Sequence, residues 1–315
     1  MRLTKKHAIS IFLLISYSHF IVENGLKAQE KVFLWKYDAI PNNTGIKVSD
    51  SISNERMYRV EQPYIQIFEP VSTNKNRVAV LIIPGGAYSR LAYEISGISL
   101  AKWLNSLGIT AYVLYHRLPQ AANVKISYIA PLQDAQRAMR IIRTNAVQFG
   151  IDKNKIGVLG TSAGGHLASC LCTLAPDWSL NGDSLDNVSY KPDFSILISP
   201  VISMADSIVH KETRWNLLGG NANNKIWQKQ FSTELQINSA TPLALLIHAD
   251  NDPAVSVLNS LVYYNALIKS GVKGSALHVF PLGGHSISLS EQPGSTKLWT
   301  EITNLWIKET INLRK

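Results

Sequence analysis

The stretch Arg77-Val-Ala-Val-Leu-Ile-Ile83 constrains the fold more than any other. Beyond Arg77 it holds no polar side chain, and its β-branched residues suit an extended chain. A strand with no polar face has to be covered on both sides, as in the parallel sheets of α/β proteins. The pattern that follows agrees: helix over 100–106, strand over 110–115, an amphipathic helix over 133–149 ended by Gly150, and a strand over 156–159. Strands are then expected over 194–198, 243–248 and 276–280, with helices over 258–270 and 296–307. This alternation predicts the α/β class, a mainly parallel sheet with helices on both faces. Residues 58–60 and 64–68 read as short antiparallel strands at the sheet edge, and residues 32–54 as an extension wrapping the domain. Residues 200–240, polar but carrying Trp215 and Trp227, break the alternation and are expected to form a lid-like insertion. With 46% hydrophobic and 17% charged residues and no linker, 29–315 reads as one large domain.

Gly160-Thr-Ser-Ala-Gly164 stands between the strand over 156–159 and a run of small and helix-forming residues. It matches G-x-S-x-G, in which small neighbours let a serine occupy a sharp strand-to-helix turn. The helix N-terminus then favours negative charge beside Ser162. A glycine turn serving only close packing gives the same five letters, so the partners decide. A serine that attacks an acyl group needs a base, an acid to orient the base, and donors for the oxyanion. Ala249-Asp-Asn-Asp-Pro-Ala-Val255 places Asp252 after one expected strand, and Pro281-Leu-Gly-Gly-His285 places His285 on a flexible loop after another. Asp250 competes with Asp252, its alternative role being a turn-forming Asx bond. His116 and His248 read as packed or hydrogen-bonded histidines, and the ring of His166 is expected to point along the helix side rather than over Ser162. Oxyanion donors are expected from the Ala163 amide and from Pro84-Gly-Gly-Ala-Tyr88, directly after the long buried strand. Tyr88 and, in the lid segment, His210 are the candidates for substrate contact, with a solvated surface role as the alternative for His210.

Met1-Arg-Leu-Thr-Lys-Lys-His7 and the apolar stretch over 8–22 read as a signal peptide over 1–28, which implies a secreted or periplasmic bacterial protein without stable membrane association. The formal charge of +9 includes Arg2, Lys5, Lys6 and Lys27 against Glu23, so the remainder carries +6. These charges are scattered, which argues against nucleic acid as a partner. Cys170 and Cys172, two apart on an expected helix, diverge too far to bridge and form no metal-ligand set, so neither disulfide nor metal is expected.

Taken together, Pro84-Gly-Gly-Ala-Tyr88, Tyr115-His-Arg-Leu-Pro119, Pro131-Leu-Gln-Asp134, Gly160-Thr-Ser-Ala-Gly-Gly-His166 and Gly283-Gly-His285 resemble the esterase/lipase branch of the α/β-hydrolase superfamily. More narrowly, the chain resembles the secreted acetylxylan-esterase-like and feruloyl-esterase-like group often labelled xylanase B-like. The resemblance implies a nucleophile at Ser162, an acid at Asp252, a base at His285 and oxyanion donors at the amides of Gly86, Ala87 and Ala163. It implies no cofactor, and an acylated polysaccharide or oligosaccharide as the partner. The expected activity is removal of acetyl groups from a polysaccharide such as xylan. Feruloyl esterase, arylformamidase or small peptidase on the same triad are the alternatives, with a noncatalytic carbohydrate-binding relative as a fourth. The chain departs from the pattern in two places: Ala87 stands where a third glycine is usual, which a backbone donor tolerates if its φ is negative, and Val255 is followed by Ser256 rather than proline. The Ala87 methyl and Tyr88 are expected to narrow the acyl side of the site.

Overall fold

The computed structural model describes residues 30–71, 75–285 and 287–312; the signal peptide read over 1–28 lies outside them. Its strands are β1 (Lys31–Phe33), β2 (Ser51–Ser53), β3 (Arg56–Arg59), β4 (Tyr64–Phe68), β5 (Ala79–Ile83), β6 (Thr110–Tyr115), β7 (Ile156–Thr161), β8 (Phe194–Ile198), β9 (Leu243–Ala249) and β10 (Ala276–Phe280). The α-helices are α1 (Ser99–Ser106), α2 (Ala130–Thr144), α3 (Ala163–Thr173), α4 (Lys211–Leu218), α5 (Lys225–Phe231), α6 (Leu258–Lys269) and α7 (Trp299–Ile307). Strands pair in the order β1-β4-β6-β5-β7-β8-β9-β10. From β6 to β10 every pairing is parallel, while β4 joins β6 and β1 joins β4 antiparallel. The fold is therefore α/β, with the antiparallel strands at one edge. The hairpin β2–β3 stands apart from the sheet, so the strand expected over 58–60 belongs to it and not to the sheet edge.

Every residue of β5 is buried, which the unbroken apolar run requires. Ala79, Leu81 and Ile83 enter a core shared with Leu132, Met139, Leu167 and Leu171 of α2 and α3. Val80 and Ile82 point the other way, toward Leu100 and Leu104 of α1 and Trp299 and Trp306 of α7. The two-residue period of the strand thus divides one run between two helix layers. Helix α2 begins at Ala130 rather than 133, with Pro131 in its first turn where no amide hydrogen is needed, and ends at Thr144 short of 149.

The N-terminal extension is fastened by a buried ion pair. Arg117 and Asp134, both with fully buried side chains, meet in a bidentate pair with Nη2–Oδ1 at 2.8 Å and Nε–Oδ2 at 3.0 Å. Trp35 Nε1 donates to Asp134 Oδ1 at 2.9 Å, and Arg117 Nη1 donates to the Pro41 carbonyl. Such a pair is tolerated only when its remaining donors and acceptors are satisfied, and here the extension satisfies them. Arg117 and Asp134 thus serve structure in the two segments that contain them, 115–119 and 131–134.

The chain runs from β5 to β6 on one side, then crosses back to place β7 on the other side of β5. Loops leaving the C-terminal ends of β5 and β7 consequently diverge, and a crevice opens between them, the usual ligand position in open α/β sheets. Residues 200–240 form the crossover from β8 to β9, including α4 and α5, and bring His210 and Glu212 to the wall of that crevice. Among the described residues no helix is long and apolar enough to cross a membrane.

Candidate active site

Ser162 follows β7 directly, with φ +53° and ψ −123°, and caps the N-terminus of α3. Its backbone is pinned on both sides: its amide donates to the Ile198 carbonyl at 3.1 Å, and its carbonyl accepts from Val201 at 3.0 Å and His166 at 3.2 Å. The glycines two residues away are required by contact. A Cβ on Gly160 would lie 2.4 Å from the Gly164 carbonyl oxygen, and one on Gly164 would lie 2.2 Å from the Ile83 carbonyl oxygen. That second contact seats the start of α3 against the end of β5, so the Ala163 amide and the loop after β5 face the same crevice.

His285 Nε2 stands 2.9 Å from Ser162 Oγ, and its Nδ1 stands 2.7 Å from Asp252 Oδ2. The Asp252 side chain is fully buried, and its other oxygen accepts from the amides of Ala254 and Val255, each at 2.9 Å. His248 Nε2, bonded to the Val255 carbonyl at 3.0 Å, lies 3.3 Å from Asp252 Oδ2, while Ser260 Oγ is 2.7 Å from His248 Nδ1. Burial alone would raise the Asp252 pKa. Hydrogen bonds from His248, His285 and the Val255 amide outweigh it and hold the carboxyl below its ordinary range. An ionised Asp252 at this distance favours the Nδ1–H tautomer of His285 and leaves Nε2 to accept the serine proton. Asp250 is exposed, and its amide donates to the Phe280 carbonyl at 2.7 Å, so the structure brings Asp252 and not Asp250 to the histidine. On the histidine loop the Gly284 amide donates to Asn251 Oδ1 at 2.9 Å and Thr296 Oγ1 donates to the Leu282 carbonyl.

On the opposite wall the Gly85 amide is taken by Ser96 Oγ at 3.2 Å and Thr161 Oγ1 at 3.0 Å. Among the described residues the amides of Gly86 and Ala87 have no partner, and the Ala163 amide sits in the first turn of α3, where a helix leaves its donors open. Ala87 has φ +53°, so the negative φ expected of an alanine there is corrected: the loop takes the left-handed conformation despite the Cβ. Tyr88 is corrected as well. It also has positive φ, +60°, and its ring is buried beside His116 and His166 with the hydroxyl 3.0 Å from His166 Nδ1, away from the crevice. His116 is itself buried, with Nδ1 2.9 Å from the Arg117 carbonyl oxygen. Cys170 and Cys172 are buried free thiols.

The cleft over Ser162 has a volume of about 330 Å³ and is lined by Gly86, Ala87, His285 and His210. His210 caps α4, with Nδ1 2.8 Å from Thr213 Oγ1; burial, opposed in part by Glu212, lowers its pKa. Three charged residues that sequence reasoning passed over also line it: Arg56 from β3, Arg90, and Glu212 of α4. They lie outside every local motif, and only the fold brings them to Ser162. Asn251 did carry a signal, as the middle residue of an Asp-Asn-Asp turn.

A strained serine on a strand-to-helix turn, bonded through histidine to a carboxylate at the C-terminal edge of a mainly parallel sheet, defines the α/β-hydrolase type. The chain belongs to the BD-FAE family, whose model matches residues 65–267. It is similar in structure to the acetyl ester-xyloside bifunctional hydrolase from Caldicellulosiruptor lactoaceticus, at TM-score 0.75 and 33% identity over 89% of this chain and 96% of that one. It is 35% identical over 216 residues to the acetylxylan esterase of Xylanibacter ruminicola, covering 67% of this chain and 41% of the relative. It is also 29% identical over 260 residues to endo-1,4-beta-xylanase B of Butyrivibrio fibrisolvens, covering 81% of this chain and 40% of the relative. The chain thus spans about two-fifths of the length of these two curated relatives.

Proposed function

We propose that this protein is a serine carboxylic ester hydrolase that removes small acyl groups, acetyl above all, from a polysaccharide such as xylan. The observation that carries the reading is the bonded chain Ser162–His285–Asp252, 2.9 and 2.7 Å long, opening into a cleft with free amides on the facing wall. Ser162 Oγ attacks the acyl carbon as its proton passes to His285 Nε2. The carbonyl oxygen becomes an oxyanion that accepts from the amides of Gly86, Ala87 and Ala163. Collapse of this intermediate breaks the ester C–O bond, and His285 returns the proton to the departing sugar hydroxyl. Water, deprotonated by His285, then attacks the acyl-Ser162 ester, and as the acyl C–Oγ bond breaks His285 returns the proton to Ser162 Oγ and the carboxylic acid leaves. Export through residues 1–28 would bring the enzyme to an extracellular or periplasmic polysaccharide.

The acetyl preference draws on the acetyl-ester hydrolases among its relatives, since Tyr88 turns inward and does not narrow the cleft. An aromatic acyl group, as in feruloyl esters, is the second reading, favoured by cleft walls that include Ile95, Leu100, Ile198 and Ile287. The deciding experiment compares kcat/KM for p-nitrophenyl acetate, butyrate and decanoate and for methyl ferulate, together with acetate release from acetylated xylan. Acetate leading the series supports the proposal. Preference for ferulate or decanoate overturns the acetyl assignment, and turnover of amides in place of esters overturns the reaction class.

A further inference from the structure

The wall that supplies the oxyanion donors turns on local bonds, the Ser89 and Arg90 amides donating to the Gly86 carbonyl at 3.0 and 3.2 Å, but none of them reaches Ala87 or Tyr88. Ala87 and Tyr88 are consecutive residues with a Cβ at positive φ, a conformation that persists only where the surroundings over-determine it. Two contacts from distant parts of the chain do so. Asn216 Nδ2, on α4, donates to the Ala87 carbonyl at 2.8 Å. The Tyr88 hydroxyl lies 3.0 Å from His166 Nδ1, and both residues are buried. His166 Nε2 is 2.9 Å from the Phe231 carbonyl oxygen, which can only accept, so Nε2 carries the hydrogen and Nδ1 accepts from Tyr88 O–H. A hydrogen-bonded line therefore runs from the last residue of α5 through the helix behind the nucleophile to the oxyanion loop. Tyr88, His166 and Asn216 are all absent from the cleft lining, so their contribution passes through the loop.

We infer that Asn216 and the Tyr88–His166 pair are positioning residues, a two-point clamp by which the 200–240 segment fixes the Gly86 and Ala87 amides for the transition state. The inference builds on the serine-esterase reading. It predicts a signature that general stabilisation lacks. Loosening the clamp leaves ground-state binding of ester intact and weakens only what meets the oxyanion site.

The test uses Tyr88→Phe, which removes one hydroxyl, and Asn216→Asp, which replaces the donor by an acceptor on a half-buried helix position. For each variant, kcat and KM are measured on p-nitrophenyl acetate, with Ki for a phenylboronic acid, whose tetrahedral adduct on a serine occupies the oxyanion site. We expect kcat to fall about 10- to 100-fold. KM should stay within about threefold, and boronate affinity should fall in step with kcat. Values of kcat and Ki within about twofold of wild type in the folded variants, or a loss confined to KM, overturn the clamp while leaving the esterase reading standing. Should Tyr88→Phe fail to fold, Asn216→Asp decides alone. Wild-type protein without ester turnover overturns the esterase reading and the clamp with it.

Discussion

The two walls that flank Ser162 are held in different proportions by local and distant contacts. On the acid–base wall, Asp252 and His285 leave adjacent strands, β9 and β10, and Asp252 is fastened by amides two and three residues away. On the oxyanion wall, the loop after β5 bonds its own turn at the Gly86 carbonyl, but its two residues of unfavourable backbone conformation, Ala87 and Tyr88, are fastened by side chains 129 and 78 residues distant. In the first wall each reacting side chain follows its own strand end, with Asn251 and Thr296 tying the histidine loop, so it can be read and altered residue by residue. The second is a property of the assembled fold, and its geometry depends on how the crossover between β8 and β9 packs. The contrast teaches that catalytic identity and catalytic precision reside in different parts of the sequence.

The largest effect expected on the local wall is that of Asp252→Asn. The amide presents a donor where His285 Nδ1–H needs an acceptor, so kcat on p-nitrophenyl acetate should fall by about 10³- to 10⁴-fold with the fold retained. A loss below about tenfold would mean that the local wall does not depend on its carboxylate. The distant wall should show itself in acid. Burial lowers the His166 pKa from 6.5 to about 4, so between these values the unfolded chain takes up a proton that the folded chain refuses. Stability therefore falls as pH drops from 6.5 toward 4, by about 3 kcal/mol for this group, and the contribution is level below that. Urea unfolding at pH 7 and pH 4 should show a larger loss for wild type than for His166→Asn, while the carboxylates contribute alike to both. Equal losses would remove His166 from the account. The smallest effect is reserved for Asp250→Asn. Being exposed and away from His285, it should change kcat by less than about threefold, and a larger fall than that of Asp252→Asn would exchange the two aspartates.

Much of this was legible in the sequence. The run over 77–83 announced a strand covered on both faces, and G-x-S-x-G, the acidic turn and Gly-Gly-His each follow an expected strand. These signals are local because a buried strand needs continuous apolar residues and a sharp turn needs glycine. The positive φ of Ala87 and Tyr88 leaves no mark in the sequence, since the Asn216 and His166 contacts at these residues come from outside the loop and no spacing records them. The hairpin β2–β3 was missed as a unit for a related reason. Its three- and four-residue strands carry too few alternating positions to register, although they deliver Arg56 to the cleft.

Central to the account is Ser162 as the atom that takes the acyl group. Labelling with a fluorophosphonate, followed by peptide mass analysis and a turnover assay, tests this most directly. A single adduct on the peptide containing Ser162 should accompany complete loss of ester turnover, and Ser162→Ala should give no adduct and lose at least about 10⁴-fold in kcat while folding normally. An adduct on another residue such as Ser199, which lines the same cleft, or substantial turnover by Ser162→Ala, would contradict it.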